Sequence, residues 1–286
     1  MKTRKSKLMI MLKAIAGMLL LVIVYFIQPF STLKSSFNKD VNQLISITSP
    51  ESQLFSQADI ASLPLPVQKY FTYCGYVGSQ KMSYMKVAFE DVTFSTGINK
   101  PNLRIDYIQY NYVKTPDRLA FIDSRVFGIP FQGYDSYNSG TGNMKGVIAK
   151  TFTLFDQKGD EMDKASLVTF LSECLFVPAA ALQDYITWEA IDETHAKATI
   201  NYLGKSGSGI FTFSEAGEMI EFTTGDRESI DFAGNKKKVK WSAKCNNYKK
   251  NKDGVLRPTI LQAVWHYPEG DLIYFDGNDI TFTFGF

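Results

Sequence analysis

Leu8 to Ile27 is a run of twenty residues that is apolar apart from Lys13 and is followed closely by Pro29. At about 1.5 Å per residue, twenty helical residues cover roughly the 30 Å hydrocarbon core of a bilayer. Lys13 lies near the N-terminal end, where a long cationic side chain can reach the headgroups. Lys2, Arg4, Lys5 and Lys7 precede the run, and residues 1–32 hold no acid. That asymmetry keeps an N-terminus in the cytoplasm and sends the following chain across. A cleaved signal peptide is the competing reading, since Ala14–Ile27 has the length of a signal core. The sequence Gln28-Pro29-Phe30-Ser31-Thr32 offers no small-residue cleavage site, and no cysteine precedes Cys74 to carry a lipid. The expected topology is a single-pass signal-anchor in the cell membrane, with the C-terminal part outside the cytoplasm.

Once the first 32 residues are set aside, 26 basic residues face 29 acidic ones, so the rest of the chain is mildly acidic despite a formal net charge of +2. Such a surface does not advertise phosphate contacts, and nucleic acid is not an expected partner. Cys74, Cys174 and Cys245 have no CxxC spacing, and an odd number cannot make a complete disulfide framework. One bridge would be compatible with export, and the spacing does not fix its connectivity.

The expected organisation is a cytoplasmic tip and anchor at 1–32, a juxtamembrane stalk or helix at 33–62, and an extracytoplasmic β-rich domain at 63–286. Ser49-Pro50 should end the first helical stretch. Leu63 to Gly75 reads as a short helix with Pro66 in its first turn and Gly75 as its C-terminal cap. Val67, Tyr70, Phe71 and Cys74 would then share a docking face. From about Lys81 the pattern changes to short alternating runs: 82–89, 103–113, 118–126, 144–155, 196–203, 209–214, 218–224, 237–243, 259–266, 271–276 and 279–285. Ser214-Glu215-Ala216-Gly217 reads as a hairpin turn. One helix interrupts the run near 160–177, where Asp160 can cap and Leu167, Phe170, Leu171 and Cys174 form an apolar stripe. The fold class is therefore mainly β (α+β): a large curved antiparallel sheet or half-barrel with one or two helices packed on it. A cavity could form beside the 160–177 helix.

No segment carries a nucleotide or metal signature. Gly140-Thr141-Gly142-Asn143-Met144 lacks phosphate-loop spacing and reads as a tight turn. His195 and His266 are isolated, with no HxH or HxxxH spacing, so neither a metal site nor a cofactor is expected. No GxSxG elbow is present, and Gly207-Ser208-Gly209 lacks the strand-turn-helix setting such an elbow needs. Trp188, Trp241 and Trp265 read as core anchors. Lys236-Lys237-Lys238, with Lys240 and Lys244, reads as a solvated hairpin end, with contact to anionic lipid as the sharper reading. Glu173 is the leading functional suspect: on the apolar helix it would need a partner such as Arg125 or Arg227. The candidate ligand-binding set is Glu173, Arg125, Arg227, Phe170 and Trp188.

Several of these pieces, in this order, resemble an uncharacterised bacterial membrane-anchored family. They are the N-terminal span, Leu63-Pro64-Leu65-Pro66-Val67-Gln68-Lys69-Tyr70, Gly140 to Met144, Leu171-Ser172-Glu173 with Pro178-Ala179-Ala180-Ala181-Leu182, and Trp188-Glu189-Ala190-Ile191-Asp192. The resemblance implies topology and a compact domain, because the family has no assigned activity. The layout of strands, helix and strands is also similar to the half-barrels of lipoprotein-carrier proteins, which implies a sheet closed over by a helical plug. The first functional expectation is an anchored module binding a lipid or other apolar ligand between sheet and helix. The alternatives are a cell-envelope assembly partner, marked by an exposed apolar patch or open sheet edge, and an enzyme with Glu173 in a cleft near Arg125, Arg227 or His266.

Overall fold

The computed structural model describes residues 2–230 and 235–286. Helix α1 (Lys2–Ile27) is long and apolar enough to cross a membrane, and its apolar window is not buried by the rest of the protein. Ser31 caps the next helix, α2 (Thr32–Ile47), by accepting a hydrogen bond from the Lys34 amide. The segment read from sequence as a juxtamembrane stalk or helix contains this helix, which is docked on the sheet. Leu33, Phe37, Val41 and Leu44 are buried on one face of α2, and the Phe37 ring sits 5.4 Å from Phe121 and 5.6 Å from Tyr134. Each such buried side chain contributes about 1.5–3 kcal/mol. Helix α3 (Gln57–Ile60) carries a capping box between Ser56 and Asp59. Helix α4 (Leu65–Cys74) ends at Gly75 in the left-handed conformation, and Val67, Tyr70, Phe71 and Cys74 are fully buried, as the sequence pattern requires.

The remainder is mostly antiparallel sheet. The strands on one side of the molecule are β1 (Tyr84–Ser95), β2 (Asn102–Tyr112), β3 (Arg118–Val126), β4 (Ile129–Asn138), β5 (Thr141–Ile148) and β6 (Phe152–Lys158), a continuous meander. Helix α5 (Asp160–Glu173) and a 3₁₀ turn at Ala180–Leu182 follow. Then come β7 (Ile186–Ala190), β8 (His195–Tyr202), β9 (Lys205–Phe213), β10 (Met219–Thr224), β11 (Glu228–Ile230), β12 (Lys236–Lys238), β13 (Lys240–Lys250), β14 (Leu256–Tyr267), β15 (Gly270–Gly277) and β16 (Ile280–Gly285). The main sheet runs β6-β5-β4-β3-β2-β1-β15-β14-β13-β10-β9-β8-β7, with β16 also paired to β1, and β11 and β12 form a separate small hairpin. The two ends of that order, β6 and β7, do not pair with each other, so the sheet is open. Its two wings wrap α5, which touches β4, β5 and β6 on one side and β8 and β9 on the other.

Three strands escape the sequence pattern, β4, β7 and the three-residue β11. β4 reads Ile-Pro-Phe-Gln-Gly-Tyr-Asp-Ser-Tyr-Asn, and its Pro, Gly, Asp and Ser look like turn residues; ladder pairing to β3 and β5 outweighs them. β7 is short and lies at an edge. The run expected at 144–155 is two strands, separated at Ala149-Lys150-Thr151, where Ala149 and Lys150 have positive φ. The helix at 160 is capped by Gly159, with Asp160 inside its first turn. The three cysteines are buried and free. Burial pushes the Cys245 thiol up to about 12, and its Sγ donates to the Met219 carbonyl.

Candidate functional site

Gly142 explains how α5 comes so close to the sheet. A Cβ there would lie 2.5 Å from the Met162 backbone oxygen, and the Gly142 amide donates to Asp163 Oδ1 at 2.7 Å. The glycine-rich stretch at 140–144 is thus a hairpin turn followed by a seat for the helix.

The cavity between α5 and the sheet, half open to solvent, measures about 390 Å³. Met85, Val87 and Phe89 of β1, Trp241 and Ala243 of β13, and Ala263 and Trp265 of β14 are among its walls; Met162, Ala165 and Phe176 close it from the helical side. The turn residues Thr96 and Gly97 and the segment Arg227-Glu228-Ser229 bound it as well. That volume is more than twice the roughly 150 Å³ that accommodates benzene in an apolar cavity, and it falls in the usual range of ligand pockets.

One end of the cavity is polar. On β2, Tyr107, Gln109 and Asn111 alternate toward α5 and meet Glu173 at the helix C-terminus. Gln109 Nε2 and Asn111 Nδ2 donate to Glu173 Oε2 at 2.7 and 2.8 Å. Arg118 at the start of β3 completes the cluster. Its Nε donates to Glu173 Oε2 at 3.0 Å, Nη1 to Asp135 Oδ2 at 2.6 Å, and Nη2 to Tyr107 Oη and Gln109 Oε1 at 2.6 and 2.9 Å. Burial would lower the pKa of Arg118, but Glu173, Tyr107 and Asp135 more than offset this and raise it, so the guanidinium stays charged. Burial pushes the Tyr107 hydroxyl far above its usual value.

The expected site residues separate. Glu173 does line the cavity, but its partner is Arg118. Arg125 is exposed at the β3–β4 hairpin, where it donates to the Gly128 carbonyl. Strand parity is the reason: Arg118, Ala120 and Ile122 share one face of β3, and Arg125 falls on the other. Phe170 is fully buried on the side of α5 that packs against Tyr185, away from the cavity. Trp188 sits on edge strand β7, donates to the Ala181 carbonyl, and does not line the cavity. Trp241 and Trp265 are cavity walls. The sequence signal for Arg118 and its partners was available as the alternation Tyr107-x-Gln109-x-Asn111, polar on the face where a core strand should be apolar.

Arg227 does line the cavity, but the hydrogen bonds to Glu173 come from Gln109, Asn111 and Arg118. Its guanidinium lies 4.2 Å from the Trp241 ring and 5.4 Å from Trp265. His266 is elsewhere: its Nε2 meets Ser242 Oγ at 2.7 Å and its Nδ1 meets Asp271 Oδ1 at 2.7 Å. That order imitates a nucleophile-base-acid chain, yet Ser242 is 0% exposed and lies outside the cavity, so no substrate reaches its hydroxyl. His195 occupies a turn and meets Asp192 Oδ1 at 2.9 Å. Among the described residues, no cluster of three or more metal-ligand side chains occurs. The basic hairpin is ion-paired: Lys236 with Glu161 at 2.8 Å and Lys237 with Glu269 at 3.3 Å.

Fold and site together define an open, curved antiparallel sheet wrapped over one helix, with an apolar cavity between them and a satisfied polar cluster at one end. Residues 53–277 match the model of a family described as a family of unknown function (DUF6544), and the chain belongs to it. No curated protein matches the chain. Among solved structures, it is similar to a crystal structure described as an outer membrane lipoprotein-sorting protein domain from Vibrio parahaemolyticus. The TM-score is 0.40 and the identity 12%, over 71% of this chain and 86% of that one.

Proposed function

We propose that the protein is a membrane-tethered, extracytoplasmic binding module that holds a lipid or other apolar ligand between its sheet and α5. The observation that carries this reading is the cavity of about 390 Å³, walled by methionine, phenylalanine and tryptophan side chains. Water in a cleft walled mainly by apolar side chains is poorly accommodated, so an apolar ligand that displaces it is favoured.

The junction with α1 supports the tether. Lys150, in the β5–β6 turn, donates to the carbonyls of Tyr25 and Gln28, and Tyr25 Oη shares a hydrogen bond with Thr151. The adjacent β3–β4 turn carries Phe127, 99% exposed and at positive φ, a conformation that favours glycine or asparagine over an aromatic residue. A phenylalanine there does nothing for the turn. Beside the end of a membrane helix it can enter the interface, where aromatic rings are favoured.

Mass spectrometry tests the reading: the full chain, extracted gently from native envelopes, is analysed for small molecules released by organic solvent. A lipid or apolar metabolite near one per chain is the expected result, and a ligand-free protein would remove the reading. A second reading, assembly with an envelope partner, draws on edge strand β6, where Phe152 and Leu154 are exposed. Site-specific crosslinking from residue 154 in membranes tests it, with adducts to a defined partner as the expected result.

A further inference from the structure

Three cations line the cavity wall: Arg118, Lys244 and Arg227. Arg118 is fully engaged by Glu173, Asp135, Tyr107 and Gln109, and Lys244 lies 3.6 Å from Glu221. Arg227 differs. Its Nε and Nη1 are sealed from water and have no hydrogen-bond partner.

The two tryptophans do not supply what is missing. A ring face attracts the delocalised charge of a guanidinium, but it leaves the in-plane N–H donors unused. Sealing charged donors from water without an acceptor is expensive, and native proteins seldom leave it so. The guanidinium carbon lies over Trp241 and Trp265 at 4.2 and 5.4 Å, which holds the cationic group at the cavity wall. The same cavity wall includes Ala243, Leu272, and the pair Ser229 Oγ and Tyr267 Oη, which bond to each other at 2.6 Å. The acids on either side along the chain are engaged elsewhere: Asp226 pairs with Lys164 at 2.7 Å and accepts from the Ser208 amide at 2.9 Å, and β11–β12 pairing sets Glu228 opposite Lys238.

We infer that Arg227 is the receptor for an anionic headgroup, so that the ligand of the cavity is an amphiphile bearing a carboxylate or phosphate at the end of an apolar chain. The inference rests on the reading of the cavity as an apolar-ligand site and names the class of ligand. Because Nε and Nη1 are closed off from water, the guanidinium turns as the anion enters, and the anion then completes these donors while the chain lies along Trp241, Ala263, Phe89 and Met85. A planar guanidinium suits an oxyanion with two or more acceptor atoms.

The test is a competition read by native mass spectrometry, using the full chain released from maltoside micelles. Dodecanoate and dodecanol are supplied together at equal concentration, and the two adducts are resolved by mass. The wild type is expected to hold the acid over the alcohol by about ten- to hundredfold, the range of a hydrogen-bonded charge in a desolvated site. Arg227→Gln should bring the ratio near one while keeping the alcohol, with far-ultraviolet circular dichroism checking the fold. Glu228→Gln, which removes a carboxylate from the same wall, should move the ratio further toward the acid. Equal binding in the wild type, or an acid preference that survives Arg227→Gln, overturns the assignment while leaving the cavity reading standing. If neither probe binds, the cavity reading fails and this one with it. Adding inorganic phosphate alone separates the sources of the anion. Loss of the acid adduct at millimolar phosphate assigns the site to free oxyanions, whereas retention assigns it to a headgroup attached to a chain.

Discussion

Replacing Arg118 with methionine removes the one cation that holds two carboxylates together at the end of the cavity. Its side chain is 4% exposed, and its donors reach Glu173, Asp135, Tyr107 and Gln109. Without it, Glu173 is left half-buried with only Gln109 and Asn111, and Asp135 loses its 2.6 Å ion pair. Stripping one partner from a buried pair costs about 3–5 kcal/mol. For a domain of this size each kcal/mol shifts the melting point by about 2–4 °C. Arg118→Met should therefore melt roughly 6–20 °C below the wild type, followed by tryptophan emission of the full chain in maltoside. Glu173→Met should cost a similar amount, because it leaves Gln109 and Asn111 without their acceptor. The double variant Arg118→Met/Glu173→Met should cost little more than either single one, since both remove the same network. A single-variant cost below about 1 kcal/mol, or a double variant equal to the sum, would refute the reasoning.

Other expectations follow from separate parts of the molecule. Ala263→Trp places a large ring in the cavity and should reduce binding of dodecanol at least tenfold, with a melting point close to the wild type; unaltered binding would mean the apolar ligand sits elsewhere. Phe127→Cys, labelled with an environment-sensitive fluorophore in nanodiscs, should be quenched by spin-labelled lipid; the native cysteines are buried and will not compete for label, and a probe as accessible to iodide as free dye would exclude the tip from the interface. Burial on its own would raise the Asp59 pKa, but hydrogen bonds from Lys81 and Ser56 together outweigh it and bring it down to about 2, from a usual 3.8. Because the folded value is the lower one, its contribution is present above about pH 4 and is lost as pH falls toward 2. Asp59→Asn should flatten that part of an acid-melting profile, and an unchanged profile would remove Asp59 from the balance.

Much of the architecture was written in local pattern. The apolar span, the Pro66 and Gly75 boundaries of α4, the 214–217 hairpin and the buried stripe of α5 all follow from periods and caps that act within a few residues. β4 was hidden because its stabilisation comes from β3 and β5, which lie on either side only after the meander forms. The 149–151 turn was hidden for a related reason: Ala149 and Lys150 adopt positive φ without being residues that announce it. The site was half legible. Glu173 could be picked out because a carboxylate on an apolar helix needs a partner, but pattern along one helix cannot say which strand delivers it. Parity along β2 and β3 does say so, and it favours Arg118 over Arg125.

The two guanidiniums in the cavity wall show why satisfied and unsatisfied polarity have different functional meaning. Arg118 is more deeply buried and more strongly coupled, yet every nitrogen already has an acceptor from the chain, so a ligand arriving there must displace a bond of equal quality and gains nothing net. Arg227 is less buried as a residue, but two of its nitrogens are closed off from water with nothing to receive them. Binding energy is available only where the empty protein falls short, and that places the polar end of an amphiphile at Arg227 and leaves the Glu173 cluster to hold α5 against the sheet. The consequence is testable without knowing the ligand: variants at Arg118 and Glu173 should change stability more than selectivity, and variants at Arg227 should do the reverse.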